Sequence, residues 1–247
     1  MTQGFYKVLS NQQLTSTVYR MVVSGDVSAL TRPGQFVNFK IDGLYLRRPI
    51  SVCDYNTEAG TITLIYKVVG VGTEKLAEAQ VGDTFDLLVG LGNGYDVTTA
   101  GETPVLIGGG VGIPPLYGLC RMLRAQGKSV KVILGFNTKD EIFYEDEFKA
   151  LGCETIVTTV DGSYGVKGFA VAPLENMDYT YFYTCGPEPM LKAVYRATNT
   201  SGQFSFEERM GCGFGACMGC SCKVITGYKR ICKDGPVLEK EEILWDA

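Results

Sequence analysis

The chain has 247 residues, enough for one large domain or two of medium size, and its apolar and charged shares of 45% and 20% are those of an ordinary globular protein. A net charge of −4 argues against non-specific nucleic-acid binding. Histidine is absent, which excludes Ser-His-Asp and Cys-His catalysis and histidine-ligated zinc, haem or Rieske centres. Chemistry must therefore come from cysteines, carboxylates or a bound cofactor. Glycine, at 31 residues, is roughly twice average usage, which points to tight turns and close backbone approaches.

In chain order, residues 5–9, 18–23, 36–41, 50–55, 61–68 and 85–89 read as short β-rich strands separated by turns, with one helical patch at 73–79. So many short strands in under a hundred residues predict a closed antiparallel β-barrel. The small, polar stretch 96–104 is a natural boundary. Beyond it the pattern alternates: strand 105–107, glycine turn 108–115, a helix with Leu116, Leu119, Cys120 and Leu123 on one face, strand 130–136, helix 145–151, strands 155–160 and 181–184, and a helix from 187 to about 198. That order predicts a parallel α/β sheet. The glycine turn delivers a strand to a helix N-terminus, where backbone amides and the helix dipole suit a phosphate. It does not fit G-x-G-x-x-G, and alone it is equally consistent with a tight turn that binds nothing. A third unit, 204–247, follows, so the expected division is 1–98, 99–203 and 204–247.

Five of the nine cysteines fall in that tail. Cys212, Cys217 and Cys220 form C-x4-C-x2-C, the spacing of a plant-type [2Fe–2S] loop, with Cys232 as the best fourth ligand and Cys222 as the spare. A structural zinc site is the alternative, but zinc sites usually carry two separated cysteine pairs rather than three packed ligands and one apart. Glycines between the cysteines let the loop fold tightly, and Lys223, Lys229 and Arg230, with no carboxylate from 209 to 233, suit a negative cluster. Cys53, Cys120 and Cys153 read as core thiols. The N-terminus shows no signal-peptide pattern, and the longest uncharged run, 103–120, holds five Gly and three Pro, so no membrane helix is expected. The chain is expected in the cytoplasm, its cysteines reduced or bound to metal.

Four motifs in a fixed order carry a resemblance: Arg48-Pro49-Ile50-Ser51 at a strand start, Gly70-Val71-Gly72-Thr73 at a helix start, the 108–114 glycine turn, and Cys185-Gly186-Pro187 after a late strand. Together they resemble the ferredoxin–NADP reductase superfamily, a flavin barrel followed by a pyridine-nucleotide domain. The tail from Glu207-Glu208-Arg209-Met210 through the cysteine loop looks like the electron-transfer subunits of class 1B dihydroorotate dehydrogenases.

The resemblance implies FAD, NAD and a [2Fe–2S] cluster. It also implies a partner FMN-containing dihydroorotate dehydrogenase catalytic subunit, two of each chain in the complex, with neither nucleic acid nor membrane as partner. It implies that Arg48, Pro49 and Ile50 hold the FAD, Arg48 at the pyrophosphate, and that Ser51 lies at the flavin edge. Ile65, Tyr66 and Lys67 would run along the flavin, and Gly72 and Thr73 would contact phosphate through backbone and hydroxyl. Gly109, Gly110 and Gly112 would contact the nicotinamide nucleotide, with Cys185, Gly186 and Pro187 beside the nicotinamide. Ser51 and Cys185 are the catalytic candidates, although Cys185 reads equally as a buried thiol and Tyr66 as a plain barrel aromatic. Arg47 reads as the surface cation of the arginine pair, and Thr73 also as a helix cap. Phe204 or Phe206 is a candidate neighbour of the flavin. The acidic end 239–246, with the chain's single Trp, is either a partner contact or simple tail packing. Two other readings remain open: a reductase subunit serving a hydrogenase or ferredoxin-dependent complex, and a non-enzymatic iron–sulfur sensor on a vestigial flavin fold.

Overall fold

The computed structural model describes residues 1–245. Strands β1 (Thr2–Gln13), β2 (Val18–Ser24), β3 (Phe36–Phe39), β4 (Arg48–Asn56), β5 (Thr61–Lys67) and β6 (Thr84–Leu91) close an antiparallel barrel in the order β1-β2-β5-β4-β3-β6. Two-residue alternation sends Val37 and Phe39 of β3, Ile50 and Val52 of β4, and Ile62, Leu64 and Tyr66 of β5 into one apolar interior. Their neighbours Phe36, Asn38, Pro49 and Ser51 therefore lie on the outer face. Helix α1 (Val71–Ala77) follows β5 and plugs one end of the barrel with Leu76.

The second half is built from β7 (Val105–Gly109), α2 (Pro114–Ala125), β8 (Lys131–Phe136), α3 (Glu145–Ala150), β9 (Glu154–Thr159), β10 (Val166–Lys167), β11 (Phe182–Cys185), α4 (Glu188–Ala197) and β12 (Gly202–Ser205). The tail adds the hairpin β13 (Ser221–Val224) and β14 (Gly227–Arg230), then β15 (Val237–Glu239). The sheet has seven strands in the order β10-β9-β8-β7-β11-β12-β15; every pair is parallel except β12 with β15. The barrel and the parallel α/β sheet are thus as the strand and turn pattern predicts. The expected cut between 203 and 204 falls inside β12, and the tail returns to pair with that strand. Pairing of this kind joins residues far apart in sequence, so no local pattern marks it.

The barrel and the sheet share a core. Val18, Cys53 and Ile65 from the outer barrel face are enclosed with Ile113, Leu116 and Leu119 at the start of α2. A Cβ on Gly118 would lie 2.8 Å from the Cys53 carbonyl oxygen, so α2 rests directly on β4. Arg121 closes the edge of this contact on Asp54 at 2.7 Å. No helix of the described residues is long and apolar enough to cross a membrane.

Candidate functional site

Three clefts gather the candidate residues. The first lies where the start of β4 meets the start of α1. Arg48 Nη1 donates to the carbonyls of Leu46 at 2.5 Å and Arg47 at 3.4 Å, and among the described residues nothing else bonds the guanidinium. A Cβ on Gly72 would stand 2.3 Å from Arg48 Nε, so only glycine lets the arginine lie against the first turn of α1. A planar cation beside unpaired first-turn amides is chemistry that fits a pyrophosphate. Thr73 fills the helix-cap role. Its Oγ1 accepts from the amides of Val69 at 2.9 Å and Gly70 at 3.3 Å and donates to the Gly70 carbonyl at 3.0 Å. The hydroxyl is engaged within the turn and shapes it.

Pro49, Ile50 and Ser51 continue along β4, Ser51 half-buried on the outer face opposite Phe36. Tyr66 is the clearest correction. Strand alternation turns its ring into the barrel interior, where it donates to Asn11 Oδ1 at 3.0 Å and stacks on Tyr19, and burial pushes its phenol up. Only its main chain is left for a bound group. Ile65 points outward but is enclosed in the inter-domain core, and Lys67 is exposed. Arg47 is also corrected: far from a free surface cation, it grips Asp86 at 3.0 Å and the Asn38 carbonyl at 3.2 Å, tying β3 to β6.

The second cleft is at the carboxyl end of the sheet, where the turn after β7 meets the turn after β11. A Cβ on Gly112 would sit 2.3 Å from the Cys185 carbonyl oxygen, so the two turns touch through bare backbone. Gly109 and Gly186 both border the Met190 side chain, Gly110 stands on the open side, and Pro187 caps α4. Met190, for which the sequence offers no role, stands between the turns because α4 folds back over β7. Cys185 is buried, and burial first, then the Glu207 carboxylate, raises its pKa, so it is a neutral thiol rather than a nucleophile. Tyr95, which no sequence signal marked, braces this strand end by donating to the Thr184 carbonyl at 3.1 Å. Phe204 is wholly buried against Phe182, and Phe206 packs on Trp245.

The third cleft is the cysteine loop. The thiols of Cys212 and Cys217 lie near enough to influence each other, as do those of Cys220 and Cys232, and Cys212 acts on Cys232 as well. The Ala216 amide donates to Cys212 Sγ at 3.2 Å and the Cys232 amide to Cys220 Sγ at 3.4 Å. Burial raises the Cys212 pKa, but amides from Cys217, Phe214 and Ala216 outweigh it and bring it to about 6. Burial and the neighbouring Cys220 push Cys232 up to about 12, an obstacle that a bound metal's positive charge removes. Among the described residues no three thiols or carboxylates are placed to hold a single metal ion. The C-x4-C-x2-C spacing, with amides donating to the sulfurs of Cys212 and Cys220, suits a two-iron centre better than one tetrahedral zinc. Cys222 instead lines a cavity of about 390 Å³ with Pro187, Glu207 and Lys223.

Two of the three loop cations are already paired, Lys229 with Glu242 and Arg230 with Asp234 at 2.8 Å; Arg230 also donates to the Gly215 carbonyl at 2.9 Å. They hold the tail's shape, and Arg230 stays within electrostatic reach of Cys220 and Cys232. The 90–94 loop, unassigned from sequence, clamps the tail: Asn93 donates to the Val237 carbonyl at 2.8 Å and accepts from its amide at 3.1 Å. Trp245 packs edge-on against Tyr195 and Phe204, so the single Trp is used within the chain; Asp246 lies outside the described residues.

The barrel, the α/β sheet and the cysteine tail define an oxidoreductase of ferredoxin–NADP reductase fold with an iron–sulfur appendage. Residues 106–196 match the oxidoreductase NAD-binding domain, and residues 207–244 match the iron–sulfur cluster binding domain of dihydroorotate dehydrogenase B. The chain is 45% identical to the dihydroorotate dehydrogenase B (NAD(+)), electron transfer subunit, of Fusobacterium nucleatum over 93% of its own length and 94% of that protein's. It is 41% identical to the Bacillus pumilus subunit over 98% of both. It belongs to this family of electron transfer subunits. Among solved structures, an NADH-dependent reduced ferredoxin-NADP oxidoreductase superposes with a TM-score of 0.89 at 30% identity, covering 98% of this chain and 91% of that one. A Neisseria gonorrhoeae ferredoxin NADP+ reductase with bound FAD and NADP shares the fold, with a TM-score of 0.69 at 20% identity over 80% of this chain and 90% of that one.

Proposed function

We propose that this chain carries electrons between NAD and a partner FMN-containing subunit that oxidises dihydroorotate to orotate, in pyrimidine biosynthesis, within a complex of two chains of each kind. When bound, FAD exchanges hydride with nicotinamide and the [2Fe–2S] centre exchanges single electrons. The chain's own part is placement. Arg48 and the first turn of α1 hold the FAD pyrophosphate, and Ser51 lines the flavin edge. The touching turns at Gly112 and Cys185-Gly186 seat the nicotinamide nucleotide at the carboxyl end of the sheet. Cys212, Cys217, Cys220 and Cys232 hold the cluster. Cys185, neutral and buried, contributes shape rather than a proton. The single observation that supports this reading is the packing of Cys220 and Cys232 with Phe36, Leu88 and Leu91 on the outer face of β3 and β6, since β3 pairs with β4.

A cytoplasmic location fits nine cysteines without a disulfide. The second reading, a reductase subunit of another redox complex, is favoured by the full-length likeness to the ferredoxin-NADP oxidoreductase. Co-expression decides between them. With the dihydroorotate-oxidising chain, the two are expected to co-elute and to reduce NAD+ with dihydroorotate, while this chain alone passes electrons from NADH only to artificial dyes. Separate elution, with NAD+ reduction requiring another donor, leaves the second reading.

A further inference from the structure

We propose that Asn38 is a positioning residue for the electron path, its carboxamide tying the cluster loop at Cys212 to the barrel one strand away from residues 48–51. The proposal rests on the cofactor reading above and deepens it. Val37 and Phe39 point into the barrel, and Phe36 packs outside with Cys220 and Cys232. Asn38, two residues beyond Phe36, therefore shares the face that the tail covers, and it is 1% exposed. Its Nδ2 approaches the Cys212 carbonyl oxygen at 3.5 Å, and only the amide nitrogen can donate to a carbonyl. A Cβ on Gly213 would lie 2.4 Å from that nitrogen, so the loop's bare backbone at φ +81° is what admits the side chain.

On the flavin side, Asn38 stands directly opposite Pro49 in the β3–β4 register, and cross-strand neighbours have Cβ atoms about 5 Å apart. Its own carbonyl is pinned by Arg47, which is locked onto Asp86. The residue is thus held from behind, touches a cluster ligand in front, and borders the flavin strand at its side.

Packing alone does not call for asparagine here. Its Oδ1 is buried with no partner, and a leucine of similar size would fill the place without that penalty. A hydrogen bond to a ligand residue's carbonyl orients the ligand and tunes the metal, as outer-shell contacts do. Asn38 thereby sets both the seat of Cys212 and the distance between cluster loop and flavin strand.

The test uses the full chain loaded with FAD and iron. Asn38→Leu and Asn38→Asp keep the side chain's size and remove its donor. The readouts are the electron paramagnetic resonance spectrum of the reduced cluster, its midpoint potential, and the rate of cluster reduction after NADH reduces the flavin. Both variants are expected to shift the spectrum. Asn38→Leu slows flavin-to-cluster transfer several-fold while flavin reduction by NADH is unchanged. Asn38→Asp lowers the potential as well, because a carboxylate beside the cluster opposes an added electron. A variant that loses iron but keeps FAD also supports the proposal, since the loop alone has been released. Unchanged spectrum, potential and rate in both variants overturn it, and so does equal loss of FAD and iron with a less stable barrel, which marks a packing residue. Wild-type protein that lacks iron or flavin overturns the cofactor reading instead, a result the variants cannot produce.

Discussion

Met21, Ile62, Leu64 and Leu87 are wholly enclosed in the barrel by other apolar side chains of the same closed sheet, whereas the tail owns little comparable. Its core is Val224, Ile231, Leu238 and two cysteines, completed by Phe36, Leu88 and Leu91 of the barrel. The barrel is held by burial and closure. The tail, with one two-stranded hairpin of its own, is held by the pairing of β15 with β12, by Arg230 on Gly215 and by the Asn93 clamp. A segment with so small a core draws its folding free energy from whatever the thiols bind. The two regions should therefore fail separately.

The largest expected effect breaks the tail alone. Cys232→Ser should abolish the cluster and open residues 207–235 to protease, while FAD stays bound, because the flavin cleft is built on β4 and α1. Iron and flavin analysis beside limited proteolysis reads this out; loss of both cofactors together would mean that the barrel depends on the tail. The converse is Leu64→Ala, which leaves a cavity in the barrel and should destabilise it by about 3 kcal/mol in urea unfolding. FAD should dissociate first there.

Next comes the nucleotide turn. Gly112→Ala forces a methyl against the Cys185 carbonyl, and displacement of the turn should raise KM for NADH about tenfold, roughly 1.4 kcal/mol, with flavin and cluster spectra intact. Steady-state kinetics with NADH settles it, and an unchanged KM removes Gly112 from the nucleotide site. A smaller effect is coenzyme choice. Beyond β8, Lys139 is the one cation in residues 135–141, and Glu141 accepts from the Asn137 amide at 3.1 Å and its side chain at 2.9 Å. A carboxylate there opposes a 2′-phosphate, so kcat/KM should favour NADH; equal values for NADPH would refute this. Smallest of all is Cys222→Ser, which should leave the visible cluster spectrum as it is, and bleaching would show that Cys222 is a ligand.

The same contrast explains what was readable in the residues. Cysteine spacing and glycine turns are local devices, because a loop that wraps a cluster or a turn that admits a phosphate must be written within a few consecutive positions. Periodicity marked the barrel strands and α2 for the same reason. Tyr66 takes the plain barrel reading, since a motif lists neighbours while strand alternation decides which side each neighbour faces.

By itself, the sequence determined the three-part order, the chemistry available without histidine, and the spacing of the three loop cysteines Cys212, Cys217 and Cys220. Only the tertiary structure decided that Arg47 is locked to Asp86, that Asn93 clamps the tail, that β15 closes the sheet beside β12, and that Asn38 of β3 meets the cysteine loop at Cys212. Each of these joins positions from 32 to 174 residues apart. Such contacts form when chain closure brings distant faces together, and no residue pattern within one segment records them.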